Sequence, residues 1–462
     1  MLRLNSLAWL ALLLPSGLAA QTADLSQILA RLDKLEQENR ELAAQVQELK
    51  TELAGAKTPA TAAAAAAPTA APAETAGAPQ NATLQEQLAI QQARIEEQAQ
   101  TKVEASQKFP IRITGMALFN TYLNSTYNGG AEYPTAAALT PGNVTANGTL
   151  RQSIIGLDFH GPQTFLGGTV HGSLAMDFFA GGITFGSMFR LRTGSINLDW
   201  KSTKLMVGID KPIFNPRDPS SLAQVGVSPL TGAGNLWLWL PQARLEQDFA
   251  FTNYTGLRAR VGVVETHETS PYNSSPTNPV SVEPNRPGAE GRVEFYHNLD
   301  DDRRFEFAAG FHLSSTHAGG FSIPSQVLQF DWFFNPYKRV EWTGVFFTGQ
   351  NVSNLGTGLI NQGYAVTRYN AYAITARGGW TQFTVHTFPR LDFHLFTGLQ
   401  YYESRFLGVG DASRNLAYGV NLFYRLAPNV LFGPEISQFR TPYIGFGTRL
   451  VNHYDLALAY LF

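Results

Sequence analysis

Tyr454-Asp455-Leu456-Ala457-Leu458-Ala459-Tyr460-Leu461-Phe462 closes the chain with a two-residue period. Successive side chains of an extended strand point to opposite faces, so Tyr454, Leu456, Leu458, Tyr460 and Phe462 share one face and Asp455, Ala457 and Ala459 the other. A large apolar face tipped with aromatics and backed by a small, polar one is the pattern of a strand with lipid on one side and a water-filled lumen on the other. A soluble edge strand can show the same alternation, so the nine residues gain their meaning from the rest of the chain.

Composition narrows the choice. Charged residues make up 15% of the 462, against about 25% in an average globular domain, and the chain holds 42 Gly, 17 Tyr and 31 Phe. There is no apolar run of about 18 residues, which excludes a helical membrane span, and closed strands are the other way across a bilayer. No cysteine is present, so disulfides, thiol chemistry and a lipid-modified cysteine anchor are excluded. The formal net charge of -2 argues against nucleic acid as a partner. Residues 1–20 read as a signal peptide: Arg3, an apolar stretch from Leu7 to Leu14, and a small-residue exit at Ala19 and Ala20.

Three further segments precede the barrel pattern. Over 21–54, Leu25, Leu32, Asn39, Val46 and Leu53 repeat every seven residues, with Ile28, Leu35, Leu42 and Leu49 at the second seam position. This heptad spacing predicts a periplasmic coiled coil in which Asn39 fixes register at a cost in stability, while the number of strands stays open. Residues 55–80 are nearly all Ala, Pro and Thr, a semi-rigid linker whose prolines forbid a continuous helix. Residues 81–108 carry a weaker helical pattern through Leu84, Leu88 and Ile95, a short stalk.

From Phe109 the period becomes two, and the sequence predicts an all-β fold: a transmembrane antiparallel β-barrel of 16 strands over 109–462. The connections carry this reading. Short turns are expected at His160–Thr164, Lys201, 248–253, 300–302, 335–338, Phe388-Pro389 and 427–429. Long loops are expected at 124–148, 179–186, 212–235, 266–288, 315–324, 351–368, 402–413 and 440–452. Short turns on one rim and long loops on the other are the outer-membrane arrangement, and they put both ends of the barrel on the periplasmic rim. Alternation assigns Leu166, Val170, Leu174, Met176 and Phe178 to lipid opposite His171, Ser173 and Asp177. Leu416, Tyr418, Val420, Leu422 and Tyr424 likewise oppose Asn421 and Arg425. Trp200, Trp380, Tyr401, Tyr454 and Phe462 are expected in the interfacial aromatic girdles.

Interior basic residues cluster on consecutive strands: Arg190 and Arg192, Arg244, Arg258 and Arg260, then Arg292, with Glu294 on the same face. A guanidinium stays charged and offers paired donors to carboxylate or phosphate, so a row of them beside water is suited to attract anions. Their alternative role is to brace the wall through Asp177, Asp210, Glu246 and Glu294. The loop from Pro212 to Asn235 is too apolar for a free extracellular loop, with Ile213, Phe214, Leu222, Val225, Val227 and Leu230. It is expected to fold against the inner wall and bring Lys211, Arg217 and Asp218 to a constriction.

With its signal peptide and heptad helix, and with Phe189-Arg190-Leu191-Arg192, Gly208-Ile209-Asp210-Lys211-Pro212 and Leu240-Pro241-Gln242-Ala243-Arg244-Leu245 in its strands, the chain resembles the DcaP-like outer-membrane porins, related to the phosphate-selective porins O and P. The resemblance implies a sixteen-stranded homotrimer that passes small anions, often dicarboxylates, with Arg190, Arg192, Arg217 and Arg244 at the basic positions near the narrowest point. The phosphate-selective relatives use a lysine-rich path, whereas the barrel here has only Lys201, Lys204, Lys211 and Lys338. The mixture of Arg with Glu and Asp fits weak anion preference better than phosphate selectivity.

The expected function is passive diffusion of small hydrophilic or anionic solutes across the Gram-negative outer membrane, with membrane lipid as the surrounding partner. The competing class is a structural envelope protein that uses its stalk as a spacer or tether. His160, His171, His297, His312, His317 and His394 are scattered without metal-ligand spacing or a nucleophile set, so no catalytic residue, metal or cofactor is expected.

Overall fold

The computed structural model describes residues 111–181, 187–275, 277 and 279–462. The expected signal peptide, coiled coil, linker and stalk lie outside the described residues. The described strands are β1 (Ile111–Asn124), β2 (Thr145–Thr149), β3 (Ile154–Gln163), β4 (Thr169–Ala180), β5 (Met188–Asp199), β6 (Thr203–Asp210), β7 (Leu240–Ala250), β8 (Thr255–His267), β9 (Asn285–Asn298) and β10 (Arg304–Ala318). They continue with β11 (Phe321–Tyr337), β12 (Val340–Gln350), β13 (Tyr364–Val366), β14 (Ala371–Ala373), β15 (Thr375–Phe388), β16 (Leu391–Tyr402), β17 (Arg414–Ala427), β18 (Val430–Tyr443) and β19 (Gly447–Leu461).

Seventeen of these form one antiparallel sheet, while β13 and β14 make a separate hairpin inside the 351–374 loop. Because β2 and β3 pair in succession with β1, they count as one wall, and the ring has sixteen walls. Pairing of β1 with β19, from Met116 opposite Leu461 to Asn124 opposite His453, closes it and leaves no free edge. The terminal strand has the expected two faces: Tyr454, Leu456, Leu458, Tyr460 and Phe462 are exposed outward, and Asp455, Ala457 and Ala459 are buried inward.

The outward face of the whole ring repeats this chemistry. Phe119, Val207, Leu245, Val261, Val293, Phe307, Leu328, Phe346, Phe383, Leu395 and Ile436 are all exposed to the outside, while the inward positions hold buried Asn, Gln, Glu, Asp, Arg and His side chains. That inversion of the soluble pattern defines a barrel whose outer solvent is hydrocarbon.

Four sequence expectations change. Residues 315–324 and 440–452 are not long loops: β10 and β11 meet in a turn at Gly319-Gly320, and β18 and β19 meet at 444–446. Positive φ angles of 60° and 86° at the two glycines suit the tight hairpin. These strands run past the apolar belt, where alternation fades although the ladder of hydrogen bonds continues. Leu166 is not a lipid-facing strand residue, since it lies in a one-turn 3-10 element (Phe165–Gly167) at the short-turn rim, and β3 runs on to Gln163. Finally, Trp380 leaves the girdle for the interior: even positions of β15 face inward, and Trp380 packs with Leu230 and Phe396.

Candidate functional site

The connection between β6 and β7, residues 211–239, crosses the lumen instead of projecting from the rim. Ile213, Phe214, Leu222, Leu230 and Leu236 are buried, which is the fate the apolar loop sequence demands. Its backbone is tied to the wall on many sides. Asn120 of β1 donates to the Leu222 carbonyl (2.9 Å), Gln329 of β11 to Phe214 (2.6 Å), and Asn415 of β17 to Gly232 (3.0 Å). The Ser220 N–H donates to Gln382 of β15 (2.7 Å) and the Ser221 hydroxyl to Glu435 of β18 (2.5 Å). These side chains satisfy backbone groups that irregular chain in a barrel interior would otherwise leave unpaired. Inward-facing glycines give the loop room: a side chain at Gly398 would place its Cβ 2.2 Å from the Ala233 carbonyl oxygen.

The two halves of the lumen differ. Along β15 to β19 and β1, the inward polar residues Gln382, His394, Gln400, Asn415, Asn421, His453, Asp455 and Asn120 are buried, and Asn120, Gln382, Asn415 and Asn421 bond directly to the 211–239 loop. Along β4 to β11, charged side chains remain partly open to water, among them Arg190, Lys211, Asp218, Arg244 and Arg258. The inner surface open to water among these residues is therefore charged.

All ten residues expected at the path lie on this wall or on the loop that faces it. Arg190 and Arg192 of β5 converge on one buried carboxylate, Asp177 of β4, at 2.7 and 2.9 Å. Arg190 also donates to the Gly226 carbonyl (2.7 Å) and Arg192 to that of Val225 (2.8 Å), pinning the loop. Both guanidinium groups lie over the ring of Trp239, at 5.3 and 4.5 Å from its centroid. Two cations sharing one anion leave a local positive surplus, and Arg190 keeps 28% of its side chain exposed.

Farther round the wall the charges interleave. Arg244 pairs with Asp210 (2.9 Å), and Lys211 with Asp218. Arg258 bridges Glu294 (2.9 Å) and Asp248 (3.3 Å), and Arg260 meets Glu246 (2.5 Å). Arg292, almost wholly buried, donates to Glu294 (2.5 Å) and Asp331 (2.8 Å). From the loop, Arg217 reaches Asp331 and Glu306, both at 2.6 Å, and Arg304 meets Glu306 at the same distance. Five arginines thus interleave with five carboxylates across β7 to β11. The carboxylates named from sequence as bracing partners, Asp177, Asp210, Glu246 and Glu294, all take that part.

Sequence reading missed Asp248, Glu306, Asp331 and Trp239. Asp331 and Glu306 stand on strands beyond the arginine-bearing run, and only the fold of the loop brings Arg217 to them. Asp248 was placed in a turn, whereas β7 extends to Ala250 and holds it on the wall. Trp239 ends the loop, and only the fold brings its ring to Arg190 and Arg192. Among the described residues there is no group of three or more His, Cys, Asp or Glu arranged to hold a metal ion.

The described residues form a closed sixteen-walled transmembrane barrel with an inward-folded loop and a charged inner wall. Solved structures share it. The outer membrane channel DcaP of Acinetobacter baumannii aligns over 76% of this chain and 97% of its own, at 13% identity and a TM-score of 0.64. The anion-selective porin from Comamonas acidovorans aligns over 76% of this chain and 99% of its own, at 11% identity and a TM-score of 0.52. At such identities the likeness is one of fold. No protein-family model and no curated protein matches the chain.

Proposed function

We propose that this chain is an outer-membrane porin for passive diffusion of small hydrophilic solutes, with a weak preference for anions such as dicarboxylates. The observation that carries the reading is the Arg190 and Arg192 pair facing the inward loop with only Asp177 between them. A solute carboxylate passing this point meets guanidinium donors whose charge is incompletely answered, while the paired charges elsewhere keep the path polar without a strong field. Weak attraction suits a pore, since a tightly held solute would not leave. The anion-selective character of the Comamonas porin and the channel role of DcaP support the reading by analogy of fold. We also infer a homotrimer with the 21–108 segment in the periplasm, on the heptad pattern and the family resemblance.

Reversal potentials across a planar bilayer in a salt gradient test the selectivity. Wild-type protein is expected to favour chloride over potassium, and the R190A/R192A double variant to lose most of that preference. Arg244→Ala should change it less, because Asp210 already answers that charge. Cation preference in the wild type sinks the basic-path reading, and absence of conductance from folded protein sinks the porin reading.

A further inference from the structure

Outside the lumen, three arginines point away from the barrel near the long-loop rim. Arg377 of β15 stands opposite Tyr401 of β16, which stands opposite Arg414 of β17, and Arg440 of β18 lies one step nearer the membrane opposite Leu416. All three are exposed on the outward face. Whereas the arginines of the lumen network each meet a carboxylate, none of these three does among the described residues. Arg440 donates to Gln438 (2.7 Å) and lies 5.6 Å over the ring of Tyr418. Neighbouring strands are about 4.8 Å apart, which places Arg377 and Arg414, two strands apart, at roughly 10 Å.

Directly below Arg377 the apolar surface is hollow. Phe346, Gly379 and Leu399 stand side by side across β12, β15 and β16, and Gly344, Thr381 and Thr397 form the next row. The strands pack so closely that a Cβ on Gly379 would sit 2.2 Å from the Val345 carbonyl oxygen, and the absent side chain there leaves a groove, while the Trp332 ring covers Gly344. It has a volume of about 450 Å³, its walls include Trp332, Phe346, Leu399 and Tyr401, and Arg377 stands at its rim-side end.

We propose that this surface binds an acylated, phosphorylated glycolipid of the outer leaflet, the lipid A class. One acyl chain lies in the groove, and the phosphates lie against Arg377, Arg414 and Arg440. The charge sign, the depth and the groove argue together. Unpaired cations on a lipid-facing wall are costly unless headgroup anions answer them, guanidinium groups suit phosphate oxygens, and a chain-width furrow leads from the cations toward the hydrocarbon. The proposal rests on the outer-membrane reading of the barrel, and conductance measured on the same samples separates failure of that reading from failure of this one.

The test is native mass spectrometry of the full-length protein in mild detergent, titrated with lipid A that carries its phosphates. Wild type is expected to retain a lipid A adduct. The R377S/R414S/R440S variant should need at least about tenfold more lipid for equal occupancy, with channel conductance unchanged. Dephosphorylated lipid A should behave toward wild type as intact lipid A does toward the variant. Thr397→Trp, which fills the groove and leaves the charges in place, should also weaken the adduct. Equal adducts in wild type and triple variant overturn the proposal, as does absence of an adduct from conducting wild type. Loss of self-association in the lipid-free triple variant, with no lipid effect in wild type, assigns the surface to a second copy of the chain and overturns it equally.

Discussion

Asp331 shows what the charged wall requires of a single residue. It is buried on β11 and accepts from Arg292 at 2.8 and 2.9 Å and from Arg217 at 2.6 Å. One carboxylate therefore joins a wall strand, β9, to the inward-folded loop. Removing one partner of a buried ion pair leaves the other desolvated and unanswered, so Asp331→Asn is expected to destabilise the barrel by about 3 kcal/mol, reduced to the extent that Glu294 and Glu306 take over. Equilibrium urea unfolding in lipid vesicles measures it, and a change within error would show that the network is redundant at Asp331. The arginines were visible in the sequence because their strands follow one another. Their partner Asp331 was not, since a contact between residues 217 and 331 depends on where a long loop travels.

At the scale of elements, the same limit separates what alternation reveals from what it hides. A two-residue period marks a strand only where lipid faces one side, so the sixteen membrane-crossing segments were readable. The extensions of β10, β11, β18 and β19 beyond the bilayer looked like loops, because both their faces meet water or protein and nothing enforces the alternation. Conversely, the 211–239 loop betrayed its inward path through composition alone, as six large apolar residues have no place on an extracellular surface. Deleting residues 218–231 removes the anchors at Ser220, Ser221, Leu222 and Gly226. Single-channel conductance is then expected to rise roughly twofold or more, with weaker anion preference, because the lumen widens and the wall charges lie farther from the permeating ion. An unchanged conductance would mean that the narrowest point lies outside this loop.

Hydrocarbon surrounds the whole ring, and depth within it is the variable that tests this. Along β19 the outward residues run from Leu450 through Asn452, Tyr454, Leu456, Leu458 and Tyr460 to Phe462, so Leu456 lies near the middle and Leu450 near the long-loop rim. Native sequence already tolerates a cation at the outer level, since Arg440 stands directly opposite Leu450. Were the barrel exterior aqueous, an arginine at either depth would cost nothing, because exposed side chains there have few contacts to lose. In a bilayer the cost follows depth, and Leu456→Arg is expected to destabilise by about 2–4 kcal/mol while Leu450→Arg costs about 0–1 kcal/mol. Urea unfolding of the two variants in vesicles gives the difference directly. Equal costs would remove the bilayer from the account of this barrel, and a larger cost at Leu450 would mark that rim as a packed protein interface instead.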